Sequence, residues 1–186
     1  MQVGLILAAG SGSRVGTPKA ILEISGERLI DRAVTQFHSA GIRDVYVVLG
    51  AWQGEVPGAH VIVNPEWKSG MGSSLRTGLE YLAALSEITD VVVSLVDLPG
   101  LSAAAIEAIV RNTQEIVMGT FYGKPGHPVK FARKHWKEIA ESATGDFGAR
   151  NFLKGRDDVF TVPLETLAVG KDLDTPEDLA AFKDGL

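Results

Sequence analysis

The stretch VGLILAAGSGSRVGTPKAIL, Val3 to Leu22, decides how the rest of the chain is read. Val3 to Ala9 is an unbroken apolar run, as expected of a strand buried on both faces. It ends at Gly10, Gly12 and Gly16, interleaved with Ser11, Ser13, Arg14 and Thr17 and followed by Pro18-Lys19. Glycines allow positive φ and let backbone N–H groups come close to a ligand. With Arg14 and Lys19 in the same loop, the pattern points to an anion site, and a phosphate chain fits it best. A P-loop is excluded because no stretch reads G-x-x-x-x-G-K-[ST], and Val15 stands where a dinucleotide fingerprint needs its third glycine.

Working outward, Leu29 to Ala40 carries apolar residues at helical spacing and stops at Gly41, and Val45 to Leu49 is a second buried strand. His60 to Val63 is a third, ending at Asn64-Pro65. Gly70, Gly72, Ser73 and Ser74 precede a helical pattern from Leu75 to Leu85. Val91 to Val96 is a strong strand that runs into Asp97-Leu98-Pro99, and Ser102 caps a helix to Val110. Strands alternating with helices imply βαβ units. The expected fold is α/β, a three-layer α/β/α sandwich with a Rossmann-like, mainly parallel sheet.

Beyond Ile116 the pattern loosens. Ile116 to Tyr122 reads as a strand, Gly123 to Pro128 (GKPGHP) as a turn, and Val129 to Phe131 as an antiparallel return, a small antiparallel part in the C-terminal half. His135 to Ala143 and Ala149 to Leu153 read as helices and Val159 to Val162 as a last strand. Thr175-Pro176-Glu177-Asp178 has the chemistry of a helix start: a capping hydroxyl, proline in the first turn, then acids. One domain over 1–186 is expected, with a regular half to about residue 110 and a looser half over 111–186.

Composition narrows the function. The formal net charge of -5 argues against a nucleic-acid binder. The absence of cysteine excludes disulfides, thiolate metal centres and a thiol nucleophile. No apolar run approaches the roughly 20 residues of a membrane helix, and the start lacks the basic region of a signal peptide, so a cytoplasmic protein without membrane contact is expected. In open α/β sheets ligands sit beyond the carboxyl ends of the strands, where both the glycine loop and Asp97 fall. Asp97 alone is compatible with a loop cap, and Asp174 with a helix start. Beside a phosphate loop, the two carboxylates together suit Mg²⁺, which is commonly held by one or two carboxylates plus substrate phosphates.

At this point the residues carry a resemblance. LAAGSGSRVGTPK resembles the signature of nucleotidyltransferases with the glycosyltransferase-A-like fold. NPEWKSGMGSSLRTGL (Asn64 to Leu79), LVDLPGL (Leu95 to Leu101), GKPGHPVKF (Gly123 to Phe131), GDFGAR (Gly145 to Arg150) and DLDTPEDL (Asp172 to Leu179) follow in the order of the molybdenum cofactor cytidylyltransferases and their relatives. The resemblance implies transfer of a nucleoside monophosphate to a molybdopterin-type acceptor with Mg²⁺, by a monomer in transient contact with a molybdoenzyme or its chaperone. Related guanylyltransferases read LAGG and Asp-Lys where this chain has Ala9 and Pro18-Lys19, which favours CTP over GTP. By position, Leu7, Ala8, Ala9, Gly10, Ser11 and Gly12 hold the base and phosphates, and Arg14 and Lys19 neutralise the triphosphate. Asn64, Gly70, Met71 and Ser74, with Arg76, lie near the nucleoside. Asp97 and Asp174 resemble the metal-binding aspartates, with Asp97, Arg14 and Lys19 as the catalytic set. His127, Asp146 and Arg150 fall on the acceptor side, so the resemblance implies a nucleotide-binding half to about residue 110 and an acceptor-binding half over 111–186. A plain turn role for His127, and a capping role for Asp146 on the helix of Arg150, stay open, as does another phosphorylated acceptor. A non-catalytic nucleotide-binding protein or a dehydrogenase is the remaining alternative.

Overall fold

A computed structural model describes residues 1–183. Its centre is a seven-stranded sheet in the order β5-β4-β1-β6-β8-β7-β9. β1 (Gln2–Leu7), β4 (Val45–Leu49), β5 (His60–Val63) and β6 (Asp90–Leu95) run parallel. β8 (Lys124–Ala132) is antiparallel to β6 and to β7 (Ile116–Phe121), and β9 (Phe160–Pro163) lies parallel to β7. The expected mainly parallel sheet with an antiparallel part in the C-terminal half is what forms.

The long apolar runs are explained by burial on both faces. Ile6, Val47 and Val92 face one core with Val34 and Phe37 of α1 (Leu29–Ser39) and Ile106 and Ile109 of α3 (Ala103–Val110). Leu5, Val48, Val91 and Val93 face the opposite core with Leu75, Leu79 and Leu82 of α2 (Met71–Ala83) and Trp136 and Ile139 of α4 (Trp136–Ser142). Side chains alternate across the pleat, so each strand feeds both cores. Two short helices complete the layers, α5 (Arg150–Leu153) and α6 (Pro176–Lys183). Among the described residues no helix is long and apolar enough to cross a membrane.

Two local readings are corrected and one element is added. GKPGHP is not a turn. The reversal is made by Tyr122 and Gly123, both at positive φ (51° and 75°), and residues 124–128 belong to the nine-residue β8. Gly126 is needed inside that strand because a Cβ there would lie 2.8 Å from the Phe121 ring. The pairing also slips between Met118 and Thr120, a bulge that glycine and proline accommodate. Second, α2 starts at Met71 rather than Leu75. Its first turn packs through Gly72, whose Cβ would stand 2.7 Å from the Thr144 nitrogen, so close contact replaces an apolar side chain as the signal. Third, a hairpin of two-residue strands, β2 (Glu23–Ile24) and β3 (Glu27–Arg28), follows the glycine loop. The helix caps form as read: the Ser102 hydroxyl accepts from the Ala105 amide at 3.2 Å, and the Thr175 hydroxyl accepts from the Asp178 amide at 3.2 Å.

Candidate active site

The glycine loop leaves the sheet between two neighbours. The Ala8 amide donates to the Val48 carbonyl at 2.9 Å and the Ala51 amide to the Ala9 carbonyl at 3.0 Å, which keeps Leu7, Ala8 and Ala9 buried and extended. The chain then turns at Gly12, φ 59°, whose carbonyl accepts from the amides of Val15 (3.0 Å) and Gly16 (2.8 Å). Only glycine fits there, since a Cβ would sit 1.9 Å from the Thr17 carbonyl oxygen. Among the described residues, the amides of Gly10, Ser11, Gly12, Ser13 and Arg14 donate to no protein acceptor. They form a run of free donors suited to an anion.

After Pro18 comes a short 3-10 turn, Lys19–Ile21, which opens on Lys19. Its ammonium donates to Asp97 Oδ2 and to Asp174 Oδ1, both at 2.6 Å. Arg14, largely exposed, stands 3.8 Å from Asp174 Oδ2. Gly12, Ser13, Arg14, Lys19 and Asp174 line an open cleft of about 200 Å³. Lys19 is partly buried, which opposes its charge, but the two carboxylates prevail and raise its pKa above the ordinary lysine value. Asp172 lies in the same acidic group: burial and the nearby Asp97 and Asp174 raise its carboxyl above the usual range.

Asp97 and Asp174 arrive from distant parts of the chain and are tied together by backbone. The Leu173 amide donates to the Asp97 carbonyl at 2.8 Å and the Val169 amide to the Gly100 carbonyl at 3.1 Å. Ser102 adds a third tie, its hydroxyl donating to the Leu167 carbonyl at 2.6 Å. From the other side Arg32 Nε donates to the Pro99 carbonyl at 3.0 Å. These positioning contacts have no signature in the sequence, because their acceptors are backbone carbonyls. Asp174 itself is oriented by the cap of α6: its amide, the Thr175 amide and the Thr175 hydroxyl all donate to Asp178 Oδ2. The Lys171 ammonium and the Thr175 donors hold the Asp178 carboxyl far below the usual carboxylate range.

The donor set fits a divalent cation. Two carboxylates meet at one point, and Asp97 Oδ1 is a buried oxygen without a hydrogen-bond partner among the described residues. No group of three or more metal-binding side chains occurs among the described residues, so substrate oxygens would complete the shell.

The other expected site residues divide into two kinds. Asn64 is buried, its amide nitrogen donating to the hydroxyls of Ser73 (2.8 Å) and Ser74 (3.0 Å) and its oxygen accepting from the Glu66 amide (2.9 Å). Asn64 and Ser74 therefore shape the entry to α2. Gly70, φ 105°, lies flat on residues 145 and 146, where a Cβ would come within 2.5 Å of the Gly145 carbonyl. The Met71 amide donates to Asp146 Oδ1 at 3.4 Å. The stretches expected on the nucleoside and acceptor sides thus touch, and Asp146 reaches the start of α2, not the helix of Arg150. Arg76 is drawn away: it donates through Nη2 to the Ala143 carbonyl (2.7 Å) and Nε to the Ala140 carbonyl (3.3 Å), at the end of α4. His127 Nδ1 lies 3.4 Å from the Val93 carbonyl, and burial lowers its pKa below the ordinary histidine value despite Asp97 nearby. Arg150 is exposed at the start of α5, with no ion-pair partner among the described residues.

A mainly parallel α/β sheet with a glycine loop, two loop cations and paired aspartates at its carboxyl edge defines a nucleotide-phosphate enzyme. Residues 4–159 match the MobA-like NTP transferase domain, and the chain belongs to that family. It is 31% identical to nicotine blue oxidoreductase of Paenarthrobacter nicotinovorans, over 95% of this chain and 93% of that one. It is 27% identical to the molybdenum cofactor guanylyltransferase of Rhodobacter capsulatus, over 98% and 95% of the two chains. The crystal structure of Rv0371c from Mycobacterium tuberculosis H37Rv superposes with a TM-score of 0.84 at 26% identity, covering 99% of this chain and 98% of that chain. A manganese complex of Rv0371c superposes with a TM-score of 0.82 at 22% identity, covering 100% of this chain and 99% of that chain.

Proposed function

We propose that this chain transfers a nucleoside monophosphate from a nucleoside triphosphate, with CTP preferred, to a phosphorylated acceptor of the molybdopterin type, releasing pyrophosphate. The observation that carries the reading is the Lys19 ammonium held 2.6 Å from both Asp97 and Asp174 at the mouth of the glycine-loop cleft. In the reaction an acceptor phosphate oxygen attacks the α-phosphorus, the bond to the β-phosphate oxygen breaks, and pyrophosphate takes the electron pair. A phosphate nucleophile is already ionised, so positioning and charge neutralisation matter more than proton transfer.

The free amides of residues 10–14 bind the phosphate chain, and Lys19 and Arg14 offset the charge growing on the leaving group. Asp97 and Asp174 would hold Mg²⁺ or a similar ion, which when bound supplies Lewis-acid charge at the α-phosphate. The manganese complex of Rv0371c supports a divalent ion in this fold. His127, uncharged near neutrality, offers the acceptor a hydrogen bond without added charge, and Arg150 offers it a free cation.

Ala9 and Pro18 support CTP, whereas the Rhodobacter relative's name speaks for GTP. Pyrophosphate release from CTP, GTP, ATP and UTP with Mg²⁺, with and without molybdopterin, separates them. Acceptor-dependent turnover with CTP is expected. Equal or faster turnover with GTP overturns the nucleotide preference, and no release from any triphosphate overturns transfer itself. The Paenarthrobacter relative favours a second reading, an oxidoreductase. Consumption of a reduced nicotinamide dinucleotide in the same samples tests it, and with Val15 in the third glycine's place none is expected.

A further inference from the structure

We propose that Lys19 is an internal counter-ion that occupies the aspartate pair until a nucleotide arrives, so that the site takes up its divalent cation with the triphosphate and not ahead of it. The inference rests on the transferase reading above and goes beyond it, since that reading assigns Lys19 to phosphate alone.

The geometry supplies the reason. Divalent ions sit about 2.0–2.6 Å from carboxylate oxygens. The ammonium nitrogen of Lys19 is 2.6 Å from one oxygen of each aspartate, which is the place such an ion would take. Two cations cannot share that point, so entry of a metal requires the lysine to leave. With the lysine in place the three side chains carry a formal charge of -1, and without it -2, so its presence weakens the attraction for any incoming cation. Short charge-assisted hydrogen bonds of this kind are among the strongest a protein makes. Asp97 and Lys19 are also shielded, with 17% and 16% of their side chains exposed, so water screens the pair little.

The same structure shows where the lysine goes. Lys19 borders the cleft of about 200 Å³ whose other walls include Gly12, Ser13 and Arg14. A triphosphate on the loop amides places oxyanions within that space, and the flexible four-carbon stem can exchange two carboxylates for them. The ammonium thereby loses no partner, and both aspartates, including the unpaired Asp97 Oδ1, become free for metal. Because coupling is reciprocal, whatever draws Lys19 off the aspartates tightens the metal, and the metal in turn tightens the nucleotide.

The test is a titration of the free protein with Mn²⁺, read by the loss of the free-ion electron paramagnetic resonance signal. Wild type, Lys19→Met and Lys19→Gln are compared, with Asp97→Asn introduced into each to locate the binding. The expected result is an affinity at least tenfold tighter in both lysine variants than in wild type, abolished by Asp97→Asn. A metal-dependent rise in melting temperature, larger in the variants than in wild type, is expected alongside and confirms that they are folded. Affinity that is unchanged or weaker in folded lysine variants overturns the proposal. The pyrophosphate assay separates this from the function. Turnover in wild type with unchanged Mn²⁺ affinity in the variants refutes only the counter-ion, and tightened Mn²⁺ binding without turnover refutes only the transferase.

Discussion

Arg76 sits among motif residues that resemble a nucleoside site, yet its guanidinium is spent on the end of α4. Arg76→Met keeps the aliphatic stem and removes the donors to Ala143 (2.7 Å) and Ala140 (3.3 Å). Hydrogen bonds from a charged donor contribute about 1.5–3 kcal/mol each, and the longer one falls at or below that range. A cation at a helix C-terminus adds about 0.3–1 kcal/mol. Arg76 is half-buried, so water replaces part of what is lost. A net loss of about 2 kcal/mol follows, and at roughly 2–4 °C per kcal/mol for a chain of this size the melting temperature falls by about 4–8 °C. Urea unfolding and a thermal melt measure it, and Arg76→Lys, able to reach one carbonyl, should recover part. Since Ala143 leads into the stretch that meets Gly70 and Met71, the acceptor KM is expected to rise severalfold while nucleotide affinity stays nearly constant. A stability loss under about 0.5 kcal/mol together with a tenfold loss of nucleotide affinity would refute the reasoning and return Arg76 to the ligand.

Gly12→Ala forces a Cβ to within 1.9 Å of the Thr17 carbonyl at a φ of 59°, whereas Gly10→Ala meets nothing within 4 Å. Calorimetric titration with a triphosphate should therefore show at least a tenfold loss of affinity for the first, and far less for the second. Asp97→Asn should leave a folded protein by circular dichroism and lower turnover by about 10²-fold or more, the scale on which one preorganised electrostatic group acts; wild-type-like pyrophosphate release from it sinks the metal assignment. His127 has its folded pKa below the unfolded value of about 6.5, so below that pH the unfolded chain binds a proton that the native state declines. Its contribution to stability is flat above pH 6.5 or so and falls on acidification towards the lower folded pKa. Urea midpoints at stepped pH should show a shallower acid slope in His127→Gln, and an unchanged slope contradicts the burial.

What the residues disclosed in advance was what local chemistry determines. The runs Val3 to Ala9, Val45 to Leu49 and Val91 to Val96 announce strands because both faces are buried, and Ser102 and Thr175 announce helix starts because a cap needs only its own next turn. GKPGHP reads as a turn because glycine and proline mark bulges and close approaches as well as turns; what distinguishes them is the Phe121 ring over Gly126, a contact made across the hairpin. The hairpin of β2 and β3 is too short to carry a period. Arg76 and Arg32 escaped because their acceptors are carbonyls 64, 67 and 67 residues away, and a backbone acceptor has no sequence signature. Lys19, Asp97 and Asp174 were each legible, but their direct pairing was not, because it depends on the turn after Pro18.

The site is assembled from both ends of the chain. The family match ends at residue 159, yet Asp174, half of the carboxylate pair, comes from the segment beyond it. That segment is held to the loop after β6 by backbone bonds from Leu173 to Asp97 and from Val169 to Gly100, contacts that place few demands on side-chain identity. Gly100 is the exception, since a Cβ there would stand 2.7 Å from Val169. The second carboxylate is therefore brought to the site by main-chain register past Gly100 and oriented there by Ser102 and the Asp178 cap, while the glycine loop is specified residue by residue over residues 8–18. A second contact, where Gly70 and Met71 lie against Gly145 and Asp146, joins the start of α2 to the stretch that the proposed function assigns to the acceptor. A change on either side of that contact displaces the other, so Gly70 and Met71 couple the start of α2 to residues 145 and 146.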